Sequence, residues 1–143
     1  MFDPSTGQLD TVKTGLIRVR TRSELRSRFN ADAWLHPSFL VRKAPFDRGV
    51  ARWDGVSQLL RGKGVLGWLA AAQKQGTVGA LSLVVSIEDM SGNTLYVSAG
   101  GLQVLTTLGG KEGFTDVPED SLFVDPQRNL EAVRVALEAL VKP

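Results

Sequence analysis

The sequence predicts an α+β fold: a mostly antiparallel sheet with helices packed on one face, in a single domain. Three observations carry this. Residues 80–89 alternate apolar and polar positions, turn through Met90-Ser91-Gly92-Asn93 and return over 94–99. Leu130, Val133, Leu137 and Leu140 recur at helical spacing behind an Asp125-Pro126 start. The chain has 143 residues and 15.5 kDa, with 43% apolar and 22% charged residues, the size and composition of one globular domain.

Taken in order, residues 1–14 are polar, contain Pro4 and Gly7, and read as a flexible N-terminal arm before a domain spanning 15–143. Leu16, Ile17 and Val19 alternate with Arg18 and Arg20, which reads as a short strand over 16–20; residues 23–29 read as a turn or two of helix. Pro37 marks a break. Residues 38–42 are rich in β-favouring types and read as a strand that ends at Ala44-Pro45. Residues 46–55 read as a loop leading into a helical start at 56–60.

Leu66, Leu69 and the run Ala70-Ala71-Ala72 predict a helix over 65–75, stopped by Gly76. In the period-two run, Leu81, Leu83, Val85 and Ile87 share one face. Gly92 and Asn93 supply the turn, since both tolerate positive φ. Gly100-Gly101 permits a bulge before a continuation over 102–108. Residues 109–124 form a Gly- and acid-rich connection. Asp125 then caps the final helix, and Pro126 suits its first turn. One helix between the strands at 38–42 and 80–89 leaves room for a parallel crossover.

Several chemistries lack their residues. There is no Cys, so this chain offers no disulfide, thiolate metal site or cysteine nucleophile. Its one histidine, His36, is the sole imidazole available to a small enzyme using carboxylates. Arg61-Gly62-Lys63-Gly64 and Gly109-Gly110-Lys111 lack the spacing of a phosphate loop, and the acidic clusters lack the alternation of a calcium loop. The reading is a non-enzymatic chain with no cofactor, no metal and no catalytic residues.

Charge is unevenly spread. Residues 1–63 carry 12 basic and 6 acidic side chains, whereas 64–143 carry 5 and 9. Such asymmetry fits a basic face for an anionic partner or mutual attraction within the fold. On a strand, Arg18, Arg20 and Arg22 would share one face and form a candidate anion-binding row, the alternative being a charged guard on a solvated strand edge. No nucleic-acid motif accompanies them, so nucleic acid is an unlikely partner. Phe46, Arg48, Arg52, Trp53 and Asp54 form the most unusual local composition and a candidate protein-interaction surface. Burial of the aromatics and Asp–Arg pairing within the chain would explain the same residues.

The hairpin reads as apolar alternation followed by Asp89-Met90-Ser91-Gly92-Asn93-Thr94-Leu95-Tyr96. It resembles a hairpin of bacterial envelope lipoproteins, including the curli-secretion lipoprotein, penicillin-binding-protein activators and the N-terminal domain of TolB. The resemblance covers residues 64–108 and the final helix. It implies a periplasmic assembly or accessory domain that binds protein partners in the envelope and carries no catalytic residues. The lipid-bearing Cys of that family is missing here, so any membrane attachment would depend on an anchor absent from this chain. An exposed sheet edge is a second candidate contact. The alternatives are a binder of nucleic acid or another anionic surface through the Arg row, and a small enzyme using His36. A cytoplasmic location is the alternative to the envelope.

Overall fold

A computed structural model of the chain describes residues 10–60, 75–109 and 113–141. They form helix α1 (Thr11–Phe29), strands β1 (Ala33–Asp47), β2 (Val50–Trp53), β3 (Val56–Leu59), β4 (Gln75–Asp89), β5 (Thr94–Val104), β6 (Thr106–Gly109) and β7 (Gly113–Asp116). A 3₁₀ turn (Glu119–Ser121) and helix α2 (Pro126–Val141) follow. The fold is α+β. Five strands build an antiparallel sheet in the order β3-β2-β1-β4-β5, and β6 and β7 pair separately. β1 and β4 are antiparallel neighbours, so the connection between them is no parallel crossover.

Two compact units divide the chain: one holds residues up to His36 together with Ser86–Val97, the other Pro37–Val85 and Ser98 onward. In the first unit, α1 replaces the expected arm-then-strand. Asp10 caps it, accepting from the Lys13 N–H at 2.9 Å, and Asn30 ends it in the left-handed region at φ 49°. Arg26 and Arg28 occupy the last turn, where cations suit the helix dipole. The β4–β5 hairpin closes as expected. Asp89 accepts from the Ser91 and Asn93 N–H groups, each at 2.8 Å, and Gly92 takes φ 95°.

In the second unit the expected loop at 46–55 is two hairpins. Arg48-Gly49 and Asp54-Gly55 both have positive φ at both residues, the signature of a two-residue turn matched to strand twist. They join β1 to β2 and β2 to β3, so residues 56–59 are strand where a helical start was expected. The β1–β2 ladder holds only Asp47↔Val50 and Phe46↔Ala51. Pro45 comes next and has no N–H to give. Freed from β1, the β2–β3 hairpin turns onto β5. The Gly101 N–H donates to the Asp54 carbonyl at 3.1 Å, and the Val104 N–H to the Gln58 side chain at 3.1 Å. β1 itself runs through Pro37 and Pro45 as one 15-residue strand rather than ending at Ala44-Pro45.

Two apolar clusters fill this unit. Ala44, Phe46, Ala51, Trp53, Leu60, Val78, Ala80 and Val104 form one; Leu81, Leu83, Val85, Leu102, Ala132 and Ala136 form the other. α2 begins as expected, with Asp125 accepting from the Gln127 and Arg128 N–H groups at 3.1 and 3.3 Å. Its buried face differs from the expected leucine stripe. Ala132 and Ala136 go inside and Leu137 packs half-buried against the second cluster, while Leu130, Val133 and Leu140 are exposed. The reason is proximity: a Cβ at Gly100 of β5 would run into the Ala132 backbone, so only small residues fit the contact. Gly76 lies in β4 beneath the Phe46 ring instead of ending a helix. The expected helix lies outside the described residues over 65–74, as do 1–9 of the expected arm.

Gly100→Ala should therefore lift α2 from β5. We expect a loss of about 1–3 kcal/mol in urea unfolding, the usual cost of overpacking, whereas Gly15→Ala, where a Cβ meets nothing, should be neutral or stabilising.

Candidate interaction surface

The helical turn of α1 reshuffles its arginines. At 100° per residue, Arg18 and Arg22 stack four apart on one face, while Arg20 points away. Arg20 pairs instead with Glu24 on the exposed surface, Nε to Oε1 3.3 Å. The expected row of three is thus split.

Arg18 and Arg22 converge on Glu88 of β4, which is only 8% exposed. Arg18 Nη1 lies 3.5 Å from Oε1 and Arg22 Nη1 3.3 Å from Oε2. Alternation along β1 aims Trp34 and His36 at the same carboxylate. The Trp34 Nε1–H donates to Oε2 at 3.4 Å, His36 Nε2 lies 3.3 Å from Oε1, and the two rings stack with centroids 4.7 Å apart. A carboxylate has about four lone-pair sites, and each of these four groups takes one. Glu88 is thereby satisfied from α1 and β1 together, and His36 is engaged in the same network. No sequence motif marks this cluster, because its members lie 52 to 70 residues from Glu88.

The Phe46–Asp54 segment separates into two kinds of residue. Phe46 and Trp53 are buried in the first apolar cluster, with the Trp53 Nε1–H donating to the Leu81 carbonyl at 3.2 Å. Asp54 accepts from the Ser82 hydroxyl at 2.6 Å and from Arg42 Nε at 3.3 Å. These contacts serve the fold. Arg48 and Arg52 remain exposed, Arg48 with its Nε 4.0 Å from Asp47 Oδ2. A cavity of about 330 Å³ lies where Gln58, Gln103 and Thr107 face Asp125 and Arg128. Its charged pair is internally matched at 3.2 Å, and Asp125 is already occupied by the α2 cap.

Apolar side chains are the more conspicuous unpartnered groups. Val12, Leu16 and Val19 fall within about 60° of one another around α1 and are 72%, 66% and 59% exposed. The face that α1 turns inward carries Thr14, Thr21, Arg22 and Leu25. The helix is therefore docked mainly through polar groups, with Leu25 beside them, and presents an apolar stripe outward. Lys13, Arg20 and Arg26, all exposed, flank or extend the stripe. Among the described residues no helix is long and apolar enough to cross a membrane.

The chain matches no protein-family model, and comparison with curated proteins and with solved structures gives no significant match.

Two outcomes follow from this geometry. Glu88→Ala leaves two guanidinium groups facing each other without their carboxylate. We expect a cost of about 3 kcal/mol or more and faster amide exchange along α1, against less than about 0.5 kcal/mol for Arg20→Ala at its exposed pair. At the hairpin, hydrogen bonds from the Asn93 side chain and backbone, with smaller contributions from Ser91 and Gly92, hold the Asp89 carboxyl below the ordinary aspartate range. A lowered folded value means that this contribution is full above the unfolded value and is lost as pH falls through the folded one. An NMR titration of the Ser91 and Asn93 amides should have its midpoint below about 3.9, and Asn93→Ala should raise it.

Proposed function

We propose that the chain is a non-enzymatic protein-interaction module, an assembly domain whose contact element is α1. The observation that supports this is the outward stripe of Val12, Leu16 and Val19. Each such side chain left in water forgoes about 1.5–3 kcal/mol of burial, and the 4-3 spacing is that of a helix laid into an apolar groove. Of the cations around the stripe, Lys13 and Arg20 already pair with Asp10 and Glu24, so the apolar side chains carry the reading. Arg18, Arg20 and Arg22 each already face a carboxylate of the same chain, which weighs against the anion-binding alternative. An envelope location, periplasmic or at the inner face of the outer membrane, is proposed on the hairpin resemblance alone.

One experiment addresses both parts. A photo-crosslinking residue at position 16 of the full gene product, expressed in its native cells, should yield a discrete protein adduct recovered with the envelope. The same residue at position 131, on α2, should not give that adduct. Leu16→Glu should abolish the adduct formed from position 12 while changing stability by no more than about 0.5 kcal/mol. Absence of a discrete adduct removes the α1 reading, and recovery in the cytosol removes the envelope location.

A further inference from the structure

The cavity of about 330 Å³ beside the start of α2 is lined by polar side chains that have spent only part of their hydrogen-bonding capacity. Gln58 Oε1 accepts from the Val104 N–H at 3.1 Å, which leaves the N–H pair of its amide as the free half. Gln103 is fixed the opposite way. Its Nε2 donates to the Ser121 carbonyl at 3.4 Å, so its Oε1 is the free half. Thr107 gives its hydroxyl proton to the Thr115 carbonyl at 3.3 Å and keeps acceptor capacity alone. Arg128 meets Asp125 Oδ2 through Nε at 3.2 Å, and neither of its Nη groups has a partner among the described residues. Glu131, the next acid along α2, is taken by Arg134 at 2.7 Å. Asp125 Oδ1 serves the helix cap, whereas Oδ2 takes one bond and has a lone pair to spare.

These free groups are sorted in space. A second cavity of about 80 Å³ shares two lining residues with the larger one, Gln58 and Arg128. Both donors therefore stand where the two cavities adjoin. Gln103, Thr107 and Asp125 line the larger cavity alone, and they are its acceptors. Val104, Val117, Pro118 and Val124 add apolar wall.

This arrangement selects a ligand by exclusion. A plain oxyanion would satisfy Gln58 and Arg128 and meet oxygen lone pairs at the other end. A plain amine would satisfy the acceptors and meet the guanidinium. A wholly apolar molecule would strip water from donors and acceptors and replace none of it, which is costly. A molecule carrying both charges and an apolar group satisfies all three parts. Ligand sites commonly hold about 300–1,000 Å³, so this cavity is at the small end and suits a single residue rather than a nucleotide.

We propose that the cavity binds a free α-amino acid with an aliphatic side chain. Its carboxylate lies on Arg128 Nη and the Gln58 N–H pair. Its ammonium lies on Gln103 Oε1 and the spare lone pair of Asp125, and its side chain lies against the apolar wall. The zwitterion then runs antiparallel to the Arg128–Asp125 pair, each of its charges facing the opposite charge of the chain. The site uses no residue of α1, so its failure would leave the α1 reading standing, and the converse also holds.

Leucine and valine titrated in turn into the full chain test this, followed by NMR of the Gln58 and Gln103 side-chain amides. Both signals should shift along a saturable curve with a Kd of about 1 mM or tighter. Leucinamide lacks the carboxylate and N-acetyl-leucine the ammonium, and each should bind at least about tenfold more weakly than leucine. Gln58→Glu keeps the bond to Val104 and turns the free donor into an acceptor. It should reverse the preference, so that leucinamide binds better than leucine. If that chain does not fold, Arg128→Met decides, and leucine binding should fall at least about tenfold. The absence of a saturable shift with both amino acids overturns the proposal. So does N-acetyl-leucine or leucinamide binding as well as leucine, the former being the mark of a peptide C-terminus. An unchanged preference in a folded Gln58→Glu chain, or undiminished leucine binding in Arg128→Met, overturns it too.

Discussion

A missing N–H at Pro45 shapes much of the second unit. With a donor there, the ladder would run on only to Trp53 opposite Ala44, where the Asp54-Gly55 turn begins. Instead the β2–β3 hairpin leaves after two residue pairs and is bound again at β5, through Asp54 to Gly101 and Gln58 to Val104. That fold-over brings Trp53 against the Leu81 carbonyl and places Asp54 where Ser82 and Arg42 can reach it. Gly101 is required at the contact, because a Cβ there would collide with Val56 and Trp53. The fold-over thus accounts for the burial of the tryptophan and the engagement of the aspartate.

How much of this is legible in the sequence depends on the range of the signal. The β4–β5 hairpin and the α2 start are read correctly because their determinants are local: alternation, Gly92 and Asn93 in a turn, Asp125 before Pro126. The α1 segment misleads because Leu16, Ile17, Val19 and the arginines between them imitate period two over five residues. The Arg18–Arg22 spacing of four is the helical signal in the same stretch, and Asp10 is its cap. At 46–59 the pair Asp54-Gly55 is a strong hairpin marker, obscured by surrounding aromatic and charged residues that look like a loop. The exposed leucines of α2 have a different cause. Helical spacing identifies an apolar stripe, of which Leu137 packs inward, yet the close approach of Gly100 puts Ala132 at the contact, and that constraint belongs to another strand.

The candidate surfaces divide along similar lines. Phe46, Trp53 and Asp54 stand out by composition, and the same chemistry that makes aromatics and carboxylates useful at interfaces makes them useful inside. Glu88 is invisible in the sequence, because four separate chain positions must fold together before its role exists. The charge asymmetry between the two halves of the chain is a faint trace of it: Arg18 and Arg22 come from the basic half and Glu88 from the acidic one.

The way α1 is held has a thermodynamic consequence. Its attachment runs through guanidinium–carboxylate contacts, and its main apolar stripe already lies in water. Releasing the helix would therefore expose little new apolar area, and area is what governs both the heat-capacity increment and the denaturant slope of an unfolding step. Detachment of α1 would be a local opening nearly blind to urea and to the curvature of the stability dome, yet responsive to ionic strength. The chain would then hold two kinds of stability at once, one governed by water's exclusion from a core and one by the screening of a few charges.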